Sequence, residues 1–296
     1  MISWDVMGVL RLLAPSLGLV GIMVHSSAAQ APVEVSADRQ LFIDDVLIDT
    51  MQGLRKTLHQ PRDHADNPVL LPDRPWEHRR VCYGSVYYIQ QEREFRCWYL
   101  ALNIYDSRPG FRGYRPEHHV PLHESAFICY AESDDGIHWR KPNLGVHEYR
   151  GSRDNNIVLT HRGTHFDSTS VVYTPEDRER PYKLMAFQGR WPYREDRIKE
   201  QWGPEFEFGI KQHGHYAWSS RDGIHFEPMN GDGPVVRCND RSMWWYDPVQ
   251  KLYVGSAKLS HEGKRAQRYA WSEDFIHWHI TPTWIMTADD GDHPRD

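Results

Sequence analysis

The chain has 296 residues, 40% of them hydrophobic and 26% charged, with a formal net charge of −6. That is an ordinary water-soluble balance with enough apolar content for a substantial core. Lysines and arginines are scattered without a basic stripe, so the electrostatic footprint of a nucleic-acid binder is missing. Aromatic residues reach 12%, including 12 Trp and 15 Tyr, an excess that suits both packing between sheets and stacking on sugar rings.

Residues 1–31 read as a signal peptide. Arg11 is the only basic side chain before an apolar run from Leu12 to Val24, and Ser26-Ser27-Ala28-Ala29 supplies small residues for cleavage after Ala29. The run is about 13 residues, short of the ~20 that cross a bilayer. The expected location is therefore secreted or periplasmic, with no membrane contact once the signal is removed. Export permits disulfides, but Cys82, Cys97, Cys129 and Cys238 have no metal-type spacing and are too few for a disulfide scaffold. Cys97 and Cys129 fall on neighbouring predicted strands, where they either pair or remain buried thiols. Neither a metal nor a cofactor is expected: phosphate loop, dinucleotide glycine fingerprint and nucleophile elbow are all absent.

Residues 32–75 form an N-terminal segment in which Gln40 to Ile48 reads as edge strand. Beyond it, one turn recurs three times. It runs Ser133-Asp134-Asp135-Gly136-Ile137-His138-Trp139, then Ser220-Arg221-Asp222-Gly223-Ile224-His225-Phe226, then Ser272-Glu273-Asp274-Phe275-Ile276-His277-Trp278, with starts 87 and 52 residues apart. A unit of about 50 residues with strand-like flanks predicts a β-propeller blade. Ser and Asp bond their own backbone in such turns, and Gly136 and Gly223 permit a positive φ. Phe275 stands where those glycines do, so the third turn is expected to differ. Recurrence in every module assigns His138, His225 and His277 a packing role.

Each module reads as four strands. A hairpin comes first, Val86-Tyr87-Tyr88 to Phe95, Val171-Val172-Tyr173 to Tyr182, and Trp244-Trp245-Tyr246 to Tyr253. A third strand precedes the repeated turn, and the His-Trp or His-Phe pair opens the outer strand. The fold class expected is all-β, a partial propeller over 76–296 with three four-stranded blades (about 76–145, 165–230 and 238–286) of a five-bladed ring. Residues 286–296 read as the loop leading into a fourth module, so the ring is expected to be incomplete in this chain.

Turns in an up-and-down blade alternate between the two faces of the disc. The start of each inner strand and the loop joining strands two and three share one face, opposite the repeated turns. Asp167 and Asp240 stand on that face, each six residues before a Tyr and eight before a Pro, and so in register on consecutive blades. Two carboxylates in one funnel are the raw material of glycosidic hydrolysis. The same count in the first module gives Cys82, with Glu77 the nearest acid, and a fourth module would contribute Asp292 or its neighbour Asp290. Two long loops on this face hold the substrate-binding candidates, His119, His123 and Glu124 in one and Trp191, Tyr193, Arg194 and Trp202 in the other. The partner they suit is a carbohydrate.

From about residue 38 onward the chain resembles the five-bladed propeller glycosidases, glycoside hydrolase families 32 and 43 and their secreted relatives. The likeness rests on the blade repeat and the Leu41-Phe42-Ile43-Asp44-Asp45 segment. It implies a glycoside hydrolase acting on a polysaccharide or oligosaccharide, with one acid from each of three consecutive blades as nucleophile or base, pKa modulator and general acid. Asp167 and Asp240 take two of those positions. The sequence equally suits a noncatalytic carbohydrate-binding propeller or an inactive truncated form.

Overall fold

The computed structural model describes residues 45, 47–78, 80–102, 124–161, 166–189, 212–231 and 233–287. Residues up to Arg62 and those from Asp63 onward form two separate compact units. Most of the predicted edge strand at 40–48 lies outside the described residues.

The second unit holds three antiparallel sheets of four strands, each a simple meander. The first comprises β1 (Val81–Ile89), β2 (Glu94–Leu102), β3 (Ala126–Ser133) and β4 (Ile157–Thr160). The second comprises β5 (Phe166–Tyr173), β6 (Tyr182–Gln188), β7 (Gly214–Ser220) and β8 (Glu227–Pro228). The third comprises β9 (Met243–Asp247), β10 (Leu252–His261), β11 (Lys264–Ser272) and β12 (His279–Thr287). This arrangement fits a β-propeller. The first hairpin of each sheet is closed by an aromatic cross-strand pair: Tyr88 and Phe95 at 4.9 Å between centroids, Tyr173 and Tyr182 at 4.9 Å, and Tyr246 and Tyr253 at 5.3 Å. Such pairs fix register and add to the burial.

Strand alternation sorts each sheet's side chains between its two neighbours. Trp98, Leu100 and Leu102 of β2 face Tyr182, Leu184 and Ala186 of β6 in one cluster, while Cys97, Tyr99 and Ala101 face the other way, onto Trp76 and Tyr149. Met185 and Ala217 of the second sheet join Trp244, Tyr253 and Phe275 of the third. The second sheet is covered on both faces, which is why β6 and β7 are buried at every position.

The inner strands β1, β5 and β9 run side by side and are stitched by serines. Val171 N donates to Ser85 Oγ (2.9 Å) and Trp244 N donates to Ser170 Oγ (3.3 Å), the two serines standing at equivalent positions. Tyr87 also donates its hydroxyl to Val171 O (3.0 Å).

The repeated turn has one geometry in all three sheets. The Ser hydroxyl accepts from the amides of Gly136, Gly223 and Phe275, each at 2.9 Å. The Asp carboxylate accepts from the His amide at 2.8, 2.9 and 2.8 Å and bonds its ring Nδ1 at 2.7, 2.8 and 2.6 Å. Contrary to the expectation for the third copy, Phe275 adopts the same left-handed conformation as the glycines (φ 69° against 76° and 78°). Two things hold it there: the unchanged hydrogen bonds, and a fully buried ring that packs 5.0 Å from Tyr253. At the preceding seam that seat is filled from the neighbouring blade, where Trp98 stacks 5.3 Å from Tyr182 above the bare Gly223.

The carbonyl at the same turn position always accepts from an indole. Trp139 donates to Gly136 O (3.2 Å) and Trp278 to Phe275 O (3.0 Å) within their own blades. Phe226 has no N–H to give, and Trp98 of the first sheet donates to Gly223 O instead (2.6 Å). The Trp/Phe alternation in the repeat is thus a change of donor with the bond preserved.

The outer strand of the first sheet lies later than expected. After Trp139 the chain makes only isolated bridges, Arg140 with Glu132 and Tyr149 with Ser152, and strand pairing resumes at Ile157. The diversion brings Lys141 into the blade's outer face, where its ammonium reaches Glu77, Asp73 Oδ1 and Leu71 O (2.7, 2.7 and 2.6 Å). Glu77, on a short 3-10 helix (Pro75–Glu77), is wholly buried and also accepts from Tyr99 and from the amides of Asp73 and Arg74. This acid closest to the first module is therefore a staple between loop and sheet, turned away from the inner strands. All four cysteines are free thiols, Cys97 and Cys129 included.

Candidate functional site

Asp167 opens β5 and Asp240 lies three residues before β9, as their register in the sequence requires. The residue that follows this position is left-handed in every sheet: Tyr83 (φ 48°), Ser168 (φ 49°) and Arg241 (φ 60°). The pairing register slips between Cys82 and Ser85 and again between Asp167 and Ser170, so each is part of a β-bulge. Non-glycine residues in this region cost on the order of 1–3 kcal/mol and cluster at functional sites. Bulges at strand ends re-aim side chains.

The bulges open on a cavity of about 340 Å³ bounded by β1, β5 and β9, whose wall mixes the polar groups of Ser85, Ser168, Thr169, Ser170, Arg241 and Ser242 with a larger apolar surface that includes Val86, Val171, Met243 and Trp244. Thr169 contributes a buried hydroxyl that has no hydrogen-bond partner. Ser168 links two mouths: the Arg241 amide donates to its hydroxyl, which donates to Asp167 Oδ1 (3.2 Å), and its own amide donates to the same oxygen (2.7 Å).

The two carboxylates have different surroundings. Asp167 is 6% exposed. Burial first, and then the charge of Asp240, push its carboxyl above the ordinary Asp value, outweighing the Ser168 hydrogen bonds and the Arg241 charge. Asp240 is held by Lys258 of β10, whose ammonium lies 2.5 Å from Oδ1. Cys82, the first sheet's counterpart, is half-buried, and burial with the Asp167 charge pushes its thiol up to about 11. A thiol at that height is neither a nucleophile nor an acid at neutral pH.

A residue the sequence reading passed over supports Asp240 from behind. Trp244 Nε1 donates to His215 Nδ1 (3.2 Å), which leaves His215 Nε2 as donor to Asn239 O (3.0 Å) and fixes the loop before the acid. Burial holds this imidazole down to about 4. Its signal was available: the equivalent position is Ile128 in the first sheet and Gln267 in the third, so His215 breaks the repeat.

Asp167 and Asp240 are thus brought together. Glu124 is placed apart from the cavity wall, its carboxylate bonded to Arg150 (2.7 Å) and its carbonyl to His78 (2.7 Å). His119, His123, Trp191, Tyr193, Arg194, Trp202 and Asp292 lie outside the described residues.

Burial also depresses His78 and His147, as it does His215. The unfolded chain protonates these imidazoles near pH ~6.5, before the native one does. Their stabilising contribution is present above that value and is lost as pH falls, for His215 through about 4. Asp167, shifted upward, works in the opposite sense, one carboxyl against three imidazoles. Urea midpoints measured across this interval are expected to fall steadily with acidification; a flat or rising curve would contradict the neutral, buried assignment.

Fold and cavity together define a class: an all-β blade-repeat protein with two acids in register beside a cavity between its inner strands. No protein-family model and no curated protein matches the chain. The solved structures it resembles include glycoside hydrolases. They include a glycoside hydrolase (12% identity, TM-score 0.41, 71% of this chain and 59% of that one) and a glycosyl hydrolase from Bacteroides ovatus (14%, 0.41, 74% and 57%). A third is fructan 1-exohydrolase IIa from Cichorium intybus, solved with 1-kestose (9%, 0.41, 69% and 32%). The chain spans less than two thirds of the length of each.

Proposed function

We propose that this is an exported glycoside-hydrolase-like propeller that cleaves a polysaccharide or oligosaccharide by carboxylate acid/base chemistry. One observation carries the reading: two acids at the same register of adjacent inner strands, close enough for one to raise the other's pKa, next to residues that line a cavity between those strands. Asp167, whose pKa is raised by burial and the Asp240 charge, is the general acid that gives a proton to the glycosidic oxygen as the bond breaks. Asp240, held by Lys258, supplies the carboxylate that attacks the anomeric carbon or activates water on the opposite side. The resemblance implies five blades.

A second reading, sugar binding without cleavage, has its own support in the engagement of Asp240 by Lys258 and in the thiol where a third acid would stand. The Asp167→Asn and Asp240→Asn variants separate the two. On a glycan panel each is expected to lose about 100-fold or more of turnover, the range of a general acid or base, while keeping binding. Asn at position 167 removes a carboxyl that is costly to ionise in place, so the melting temperature of that variant is expected to rise at neutral pH. Wild-type binding without turnover would establish the second reading, and unchanged turnover in both variants would remove these residues from the mechanism.

A further inference from the structure

Outside the cavity, the third sheet carries an arginine whose polar groups are unmatched. Arg268 of β11 has its Nε buried, and that N–H has no hydrogen-bond partner. Among the described residues no hydrogen bond or ion pair engages its guanidinium. Its contact is with an aromatic ring: the guanidinium lies 3.9 Å from the centroid of Trp284, against which His261 also packs at 4.7 Å. Buried donors are nearly always paired, so this one calls for an acceptor that the chain does not supply.

The hairpin builds the arginine into place. β10 and β11 are joined by Glu262 and Gly263 alone, both left-handed (φ 52° and 79°), a tight and rigid connection. Arg268 pairs across the hairpin with Ala257, and Ala266 and Ala270 flank it on β11, so buried methyl groups surround its stem. A slip in the β11–β12 register, from Gln267 with Met286 to Arg268 with Trp284, brings the indole opposite it in place of Ile285. The equivalent residues of the first two sheets are Cys129 and Tyr216, both buried. Ala257 precedes Lys258, which holds Asp240, and alternation turns Arg268 to the other face of the hairpin one register step away. The arginine therefore stands at the same end of the sheet as the acids.

Arg268 and Trp284 are each half-buried, so solutes reach the pair. A guanidinium steadied on an indole offers its N–H edge to a planar carboxylate or a tetrahedral sulfate through two parallel bonds. From the unpaired Arg268 Nε, the Trp284 contact and the shared end of the sheet we infer an oxyanion subsite that takes the carboxylate or sulfate of an acidic glycan. This rests on the carbohydrate reading above and adds a point of recognition outside the cavity.

The test is binding of the full chain to three galactose-based probes of equal length: neutral galactan fragments, oligogalacturonides and sulfated galactan fragments. Affinity is read by calorimetry, and the Arg268 Nε–H by proton–nitrogen NMR of the wild type. One acidic probe is expected to bind at least about 10-fold more tightly than the neutral one, with the margin shrinking as salt rises, and to shift the Nε–H resonance. Arg268→Gln is expected to lose that margin while binding the neutral probe as before. Arg268→Lys is expected to keep only part of it, because an ammonium lacks the planar fork. Trp284→Leu is expected to reduce the margin by releasing the guanidinium. Which acidic probe wins distinguishes carboxylate from sulfate, and the resonance shift needs no variant to fold. Equal wild-type affinity for all three, a margin that survives in Arg268→Gln, or a tight acidic complex that leaves the Nε–H unmoved overturns the subsite and leaves the carbohydrate reading standing. Binding of none of the three overturns the subsite, and a blank glycan panel beside it takes the carbohydrate reading down too.

Discussion

Replacing Lys141 by Met is expected to destabilise the blade unit by about 3–5 kcal/mol, the range for removing one partner of a buried ion pair. The Lys141 side chain is 4% exposed and Glu77 is fully buried, so solvent cannot take over the lost contact. The carboxylate keeps the Tyr99 hydroxyl and two backbone amides, which position it without neutralising it. Leu71 O and Asp73 lose a donor as well, so the loop over the first sheet is released along with the charge. A melting-temperature fall of roughly 10 °C follows for a unit of this size. Replacing both Glu77 and Lys141 by Met is expected to recover much of the loss, because the penalty lies in the uncompensated charge. A single variant that melts within a degree or two of wild type would mean that the pair carries no net energy.

Gly223→Ala is the second large effect. The glycine sits at φ 78°, where a Cβ is disfavoured, and that Cβ would lie 2.6 Å from Trp98 Cζ2. The indole cannot retreat, since its N–H is bound to Gly223 O and its ring is fully buried against Tyr130 and Tyr182. Backbone strain of about 1 kcal/mol and overpacking of ~1–3 kcal/mol give an expected loss of about 2–4 kcal/mol. Gly136→Ala is the internal control. Its φ is the same within a few degrees, but the nearest atom to a new Cβ is Phe95 at an ordinary 3.7 Å. Only the backbone cost of about 1 kcal/mol is expected there, and equal losses at the two sites would show that the Trp98 contact is unimportant.

What was legible in the sequence was whatever the blade repeats. The turns, the aromatic hairpin closures and the register of Asp167 with Asp240 recur at fixed offsets, and register on a pleated strand fixes which face a side chain takes. What was not legible depends on partners far apart in the chain. Nothing near Phe275 announces that it can hold a glycine's conformation, because its ring is secured by Tyr253 and by the seam with the second sheet. Nothing near Glu77 tells a funnel acid from a buried staple, because Lys141 is 64 residues away and arrives through a detour in the outer strand. The left-handed positions Tyr83, Ser168 and Arg241 also escaped notice, since none of them is a glycine.

The borrowed indole of Trp98 sets where this array can be divided. The second sheet cannot cap its own turn, so it is not a self-sufficient module: copied or transplanted without its predecessor, it would carry an open carbonyl and an empty seat above Gly223. The third sheet supplies both needs itself, through Trp278 and the ring of Phe275. The natural unit of shuffling and redesign is therefore the first two sheets together, with the joint falling between β8 and β9.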